Sequence, residues 1–139
     1  MGKRVLFVDD EPSIWRSVQS LLEQHGYQVT VAKSGEACLE MARAQPPDLI
    51  LLDVLMPSMS GLEVCQEIRR DARLREIPVV ILTAMKDAKL NERAFAAGAE
   101  ICMTKPFQPE NLITSVRMAL QNAAQKRRQT EKKMVKPGE

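Results

Sequence analysis

Short apolar runs that each end in polar residues are the feature that most constrains how this chain of 139 residues can fold. Runs of this kind, separated by segments of helical periodicity, are typical of parallel strands that are buried on both faces. In an open parallel sheet, ligands gather outside the carboxyl ends of the strands. We therefore expect the polar residues that follow the runs to meet in one crevice. The runs and the polar residues that end them are 5–8 with Asp9 and Asp10, 49–52 with Asp53, 79–82 with Thr83, and 101–103 with Thr104 and Lys105.

The segments between the runs complete a regular alternation of strands and helices. Residues 14–22 carry an apolar stripe at helical spacing, and an alternating pattern over 27–32 adds a second strand to the four runs. The pattern predicts an α/β fold, a doubly wound five-stranded parallel sheet in the flavodoxin-like order 2-1-3-4-5, with helices on both faces. In that order the first and third strands are neighbours, and the fourth and fifth strands lie on one flank of them. The topology therefore brings the polar strand ends together.

Length and composition indicate one soluble domain. Hydrophobic residues make up 45% of the chain, and no apolar run approaches the ~20 residues of a membrane span. The N-terminus leads directly into the first strand and leaves no room for a signal peptide, so we expect a cytoplasmic protein without membrane association. The three cysteines lack CxxC spacing, which favours small buried thiols over a disulfide framework or a zinc site.

Charge is distributed unevenly along the chain. Residues 126–139 hold six basic and two acidic residues, a net charge of +4, whereas the rest holds 14 basic and 16 acidic residues, a net charge of −2. We expect one domain over 1–123 and a basic helical extension, linker or tail over 124–139. The basic segment has no aromatic residue and contains Glu131 and Glu139, so we interpret it as solvated and do not expect direct nucleic-acid binding.

The polar residues at the strand ends suit phosphoryl transfer. Three carboxylates in one crevice repel each other, and a hard divalent cation such as Mg²⁺ is their natural partner. Lys105 would add a fixed positive charge for a phosphoryl oxygen, and Thr83 a hydroxyl donor. A carboxylate can itself be the nucleophile and form an acyl phosphate. Each residue alone is more simply a turn, cap or strand residue, but their coincidence at the strand ends indicates a site.

At these residues the chain resembles the receiver domain of bacterial two-component response regulators. The resemblance covers about residues 3–123 and rests on the stretches VDDEP (8–12), LILLDVLMPSMSG (49–61), VVILTA (79–84), GAE (98–100) and TKPF (104–107). It implies a signalling switch that takes a phosphoryl group from a sensor histidine kinase or a phosphotransfer protein. The switch would then change the binding of a downstream effector protein or domain. Catalysis would be limited to its own autophosphorylation and autodephosphorylation.

The resemblance also implies a role for each site residue. Asp53 would be the phosphoacceptor and a ligand of Mg²⁺. Asp10 would bind the metal directly, Asp9 would bind it through water, and the main-chain carbonyl of Leu55 would be a further ligand. Two other residues would respond to the phosphoryl group: Lys105 by binding it and Thr83 as the switch hydroxyl.

Two features depart from the pattern of that family. Cys102 occupies the position, three residues before the lysine, where the family usually carries the Tyr or Phe that turns inward on activation. Glu100 and Ile101 replace the two acidic residues that are common in its transcription-factor subfamily. The usual aromatic readout and that subfamily's symmetric dimer are therefore not expected on sequence grounds.

Three other interpretations remain open at this point. A phosphatase of the haloacid dehalogenase type also uses Asp, Mg²⁺ and Lys, but needs its nucleophile after the first strand, with a second Asp two residues on. Here the acids are adjacent and residue 11 is Glu. An unphosphorylated interaction module would not need the acidic, Thr and Lys positions. A flavin-binding flavodoxin would need a phosphate-cradling Ser/Thr/Gly loop at 11–13, where this chain has Glu-Pro-Ser. The chain could be a stand-alone protein or part of a longer one.

Overall fold

The computed structural model describes residues 2–9, 12–54, 56, 59–84, 88–105 and 107–134, with the backbone alone for 12–15 and 130–134. Within those residues five strands and five helices alternate. The strands are β1 (Arg4–Val8), β2 (Gln28–Ala32), β3 (Leu49–Asp53), β4 (Val79–Thr83) and β5 (Ile101–Thr104). The helices are α1 (Pro12–Gln24), α2 (Gly35–Ala44), α3 (Gly61–Arg70), α4 (Ala88–Ala97) and α5 (Pro109–Met134).

The strands form one parallel sheet in the order β2-β1-β3-β4-β5. This order confirms the predicted fold class. One predicted boundary shifts slightly, because β2 begins at Gln28, one residue later than the sequence pattern indicates. No helix within the described residues has both the length and the apolarity that crossing a membrane requires.

Alternate side chains of the central strands enter two separate cores. Ile50 and Ile81 pack with side chains of α2, α3 and α4 on one face of the sheet. Leu51 and Leu82 pack with side chains of α1 and α5 on the other face. Each fully buried side chain of this size contributes roughly 1.5–3 kcal/mol. All five residues of β3 and of β4 are buried, so polar groups on these strands are confined to their last positions, where Asp53 and Thr83 stand.

Serine residues begin two of the helices on the α2–α4 face. The Ser34 hydroxyl accepts a hydrogen bond from the Ala37 N–H at 3.1 Å, and the Ser60 hydroxyl accepts one from the Glu63 N–H at 3.3 Å. Such N-caps satisfy backbone donors that the first helical turn leaves without partners. The second cap fixes the start of α3, directly after the loop that follows β3.

The three cysteines differ in access to solvent. Cys38 and Cys65 are buried, whereas Cys102 is half-buried, and all three are free thiols. Burial raises the pKa of Cys38 to about 12. Burial also raises the pKa of Cys65 to about 11, although the nearby Arg69 lowers it in part. The reactive form of a thiol is the thiolate, so both buried cysteines are inert near neutral pH.

We predict that Cys102 reacts first with a thiol reagent in the native protein. At pH 8, labelling with a disulfide reagent should show one accessible thiol, and the other two should react only on the timescale of unfolding. The variant Cys102→Ser should lose the early phase, whereas Cys38→Ser should keep it. Rapid labelling of Cys38 or Cys65 in the folded protein would contradict the packing described above.

Candidate functional site at the carboxyl edge of the sheet

Four polar residues meet where β1, β3, β4 and β5 end. Asp53 and Thr83 are the last residues of β3 and β4, and Asp9 and Lys105 directly follow β1 and β5. The register aligns these ends, because Asp53 pairs with Leu82 and Thr83 pairs with Thr104. The parallel sheet therefore brings to one edge residues that are as many as 96 positions apart in the chain.

Lys105 lies between the two described carboxylates of this edge. Its Nζ lies 3.2 Å from Oδ2 of Asp9 and 3.6 Å from Oδ1 of Asp53. The side chain of Asp9 is 0% exposed, that of Asp53 is 9% exposed and that of Lys105 is 18% exposed. A buried carboxylate without a partner is costly, and the ammonium group offsets part of that cost. The ammonium group of Lys105 thus contacts both carboxylates at once.

The main chain fixes both sides of this ion pair. The Lys105 N–H donates to the carbonyl oxygen of Thr83 at 2.6 Å, and the Asp9 N–H donates to the carbonyl oxygen of Ala32 at 3.2 Å. Thr83 itself is completely buried. The edge of the sheet thus holds the backbones of these residues in place.

Gly61 brings the start of α3 against the backbone of Asp53. The Gly61 N–H donates to the carbonyl oxygen of Val54 at 2.9 Å. A Cβ atom at residue 61 would overlap the carbonyl oxygen of Asp53 and lie 2.9 Å from Cα of Val54. Only a residue without a side chain allows this approach. Gly61 belongs to the motif over 49–61, but its contact with Asp53 depends on the path of the loop, which no local sequence pattern marks.

Two of the predicted metal ligands cannot be placed. Asp10 and Leu55 lie outside the described residues, so the structure neither supports nor opposes their roles. Among the described residues, which omit Asp10, no group of three or more His, Cys, Asp or Glu side chains could hold a metal ion. The site residues that the structure does bring together are Asp9, Asp53, Thr83 and Lys105.

Cys102 occupies a place beside this edge where the sequence suggested an unusual residue. It pairs with Ile81 in the register of β4 and β5 and packs against the α2–α4 core. Its thiol is only half-buried, and burial raises its pKa above the usual value. A small side chain here cannot provide the large inward rotation that an aromatic ring could.

A family profile described as the response regulator receiver domain matches residues 5–117. The chain is 38% identical over 123 residues to the alkaline phosphatase synthesis transcriptional regulatory protein PhoP of Bacillus subtilis, covering 88% of this chain and 50% of that protein. It is 40% identical over 117 residues to the DNA-binding dual master transcriptional regulator RpaA of Synechocystis, covering 84% of this chain and 48% of that protein. This chain thus spans about half the length of these relatives.

Solved structures show the same likeness. The chemotaxis protein CheY4 of Vibrio cholerae superposes with a TM-score of 0.81 at 32% identity, covering 86% of this chain and 99% of that one. The signal receiver domain of a histidine kinase from Syntrophus aciditrophicus gives a TM-score of 0.81 at 32% identity, covering 87% and 92%. Fold and sequence therefore point to the same family.

We predict that Gly61→Ala destabilises the protein by about 1–3 kcal/mol, because the added methyl group forces α3 away from the backbone of Asp53. Urea unfolding would measure this change in the free energy of unfolding. The control is Gln66→Ala, an exposed position of the same helix, which should stay within about 0.5 kcal/mol of the wild type. Equal stability of the wild type and Gly61→Ala would show that the close approach is not needed.

Proposed function

This chain belongs to the response regulator receiver family, and on that premise we propose that it is a signalling switch controlled by phosphorylation of Asp53. The phosphoryl group would come from a sensor histidine kinase or a phosphotransfer protein. The observation that carries the proposal is the position of Lys105 Nζ, within 3.6 Å of Asp53 and 3.2 Å of Asp9 at the carboxyl edge. A carboxylate beside a fixed cation is suited to accept a group that carries negative charge.

In the proposed reaction, a carboxylate oxygen of Asp53 is the nucleophile. It forms a bond to phosphorus as the bond between phosphorus and the donor nitrogen breaks, and the donor keeps the electron pair. The product is an acyl phosphate on Asp53. Phosphoryl transfer depends mainly on positioning and on charge stabilisation. Asp53 is positioned by its place at the end of β3, and the ammonium group of Lys105 would stabilise the phosphoryl oxygens.

The donor set of the edge fits Mg²⁺. Asp9 and Asp53 are both buried or nearly so, and both lie within 3.6 Å of the same ammonium group. Two carboxylates that are held so close together repel each other, and a cation between them relieves that repulsion. Asp9, Asp10, Asp53 and the main-chain carbonyl of Leu55 would hold the ion, since oxygen ligands of this kind are those that Mg²⁺ prefers. When bound, Mg²⁺ would neutralise charge on the phosphoryl oxygens.

Thr83 would report the phosphorylation. Its hydroxyl would follow the phosphoryl group, and its carbonyl oxygen already accepts the N–H of Lys105. Because Cys102 stands in place of the usual aromatic residue, the change would be transmitted by the backbones of β4 and β5 and by α4. Turnover of an external substrate is not part of this function, so the protein acts as a switch rather than as a classical enzyme.

The switch would act on a downstream effector protein or domain. PhoP and RpaA are transcriptional regulators, and this chain matches about half the length of each. We infer that this chain acts in the cytoplasm on an effector, which is either a separate protein or a further part of the same protein.

We predict that Asp53→Asn abolishes labelling by a small phosphodonor. The wild type, incubated with phosphoramidate and Mg²⁺, should gain the mass of one phosphoryl group, and hydroxylamine should remove it. Without Mg²⁺ the gain should fall sharply. The control Asp48→Asn, at the opposite edge of the sheet, keeps an acceptor oxygen for the Arg4 N–H and should label normally. Undiminished labelling of Asp53→Asn would overturn the assignment.

We predict that Lys105→Ala leaves Mg²⁺ affinity unchanged or up to about tenfold tighter, because a positive charge is removed beside Asp9 and Asp53. The same variant should respond poorly to phosphorylation, since the phosphoryl group loses its counter-charge. Calorimetry would give the affinity, and fluorescence of Trp15, the single tryptophan, would follow the response. The exposed Lys3→Ala serves as the control. A large loss of Mg²⁺ affinity in Lys105→Ala would instead show that the lysine orders the site.

A further inference from the structure

Helix α5 continues beyond Ala123, and Arg127 and Gln129 line one cavity with Arg75 and Glu76 of the domain. Among the side chains of the helix that the structure describes, Ala123 is the last buried one, and those of residues 125–129 are all exposed. We call residues 125–134 the arm. Ten helical residues extend about 15 Å. Helix ends fray, so a contact that holds the first turn of the arm favours the helical state of the residues beyond it.

An ion pair holds that first turn. Nζ of Lys126 lies 3.1 Å and 3.2 Å from the two carboxylate oxygens of Glu100, the residue directly before β5. The two side chains are 65% and 24% exposed. An exposed pair of this kind shifts an equilibrium by about two- to fivefold. That shift is minor for a whole domain but large enough to change the helical fraction of a helix end that frays.

Glu100 is in turn presented by a tightly held turn between α4 and β5. Its N–H donates to the carbonyl oxygen of Val79 at 2.8 Å. Gly98 ends α4 with a φ of +109°, a conformation that favours glycine. A Cβ atom at Gly98 would lie 2.6 Å from the side chain of Arg69, so the turn is shaped around that arginine.

Arg69, in the last turn of α3, holds the α4–β5 turn in place by hydrogen bonds. Its Nε and Nη2 donate to the carbonyl oxygen of Gly98 at 3.0 Å and 2.6 Å. Its Nη1 donates to the carbonyl oxygens of Arg75 and Ile77, both at 2.7 Å. A guanidinium group carries five N–H donors in a rigid fork. The guanidinium group of Arg69 makes four hydrogen bonds to backbone carbonyl oxygens. The position of α3 therefore sets the position of the turn.

The other end of α3 begins at the phosphoacceptor. Gly61 lies against the backbone of Asp53, as described above, and α3 runs from there to Arg69 at the opposite edge of the sheet. A continuous series of contacts thus leads from Asp53 through α3 to Gly98, and from Glu100 to Lys126. A connected set of contacts can carry coupling to an element that has two arrangements, and a helix end that frays is such an element.

We propose that the arm is a conformational output. The Glu100–Lys126 ion pair holds it as a helix, and Arg69 fixes the α4–β5 turn that presents Glu100. The helical order of the arm therefore follows the position of that turn. Neither the ion pair nor Arg69 takes part in the site at the carboxyl edge. The extension of the proposal to phosphorylation rests on the function proposed above, whereas the holding of the arm does not.

Hydrogen exchange of the whole chain, followed by mass spectrometry, tests the proposal without any phosphodonor. Glu100→Gln and Lys126→Gln should each speed exchange of residues 127–134 about two- to fivefold while leaving β1 and β3 unchanged. The reversed pair, Glu100→Lys with Lys126→Glu, should restore slow exchange. Glu92→Gln, an exposed acid on α4, is the matched control. Unchanged exchange of the arm in both single variants would overturn the proposal.

The contribution of Arg69 is tested by comparison with its neighbour. Arg69→Gln should speed exchange of the arm at least as much as Lys126→Gln does. Arg70→Gln removes an equal charge from the same helix and only an exposed pair with Glu67, and should have no such effect. If Arg69→Gln unfolds the protein, the Glu100 and Lys126 variants still decide the question.

Phosphorylation adds a separate measurement. When mass spectrometry shows that Asp53 is labelled, exchange of the arm should change at least twofold in the wild type and not in Lys126→Gln. Labelling of Asp53 without any change in the arm would refute the coupling and leave the proposed function intact. Absence of labelling would instead refute the proposed function. Hydrogen exchange of the variants without phosphodonor would still test how the arm is held.

Discussion

Burial of β3 and β4 on both faces is the constraint on which the rest of the structure depends. Every residue of these two strands is enclosed between helices α2, α3 and α4 on one face of the sheet and helices α1 and α5 on the other. A charged group in mid-strand would have no water and no partner, which is prohibitively costly. Polar chemistry is therefore confined to the strand ends. The site exists where it does because the core permits it nowhere else along these strands.

The same constraint explains why so much of the fold could be predicted from the sequence. Fully buried strands produce continuous apolar runs, and helices packed on one face produce stripes at helical spacing. The order of the strands followed from the alternation of elements and the handedness of their connections. The boundary of β2 was less exact. It is an edge strand with partly exposed residues, so hydrophobicity marks its limits weakly.

The candidate site was predictable for a related reason, but only in part. The positions of Asp9, Asp53, Thr83 and Lys105 follow from where the strands end, and the short distances from Lys105 to the two acids agree with that placement. Gly61 and Arg69 were not predicted to have a structural role. Their importance lies in contacts with backbone atoms that are distant in sequence, Asp53 in one case and Gly98 in the other. No local pattern marks a contact of that kind.

The uneven burial of the strands also gives the sheet a gradient of stiffness. β3 and β4 have neighbours on both sides and are wholly buried, so displacing either would open both cores at once. β5 is an edge strand of four residues, each of them only half-buried, and it is bonded to a single neighbouring strand. Displacement of β5 breaks fewer contacts and exposes less apolar surface. The sheet thus resists displacement most at β3, where Asp53 stands, and yields more easily at β5, the strand beside Thr83.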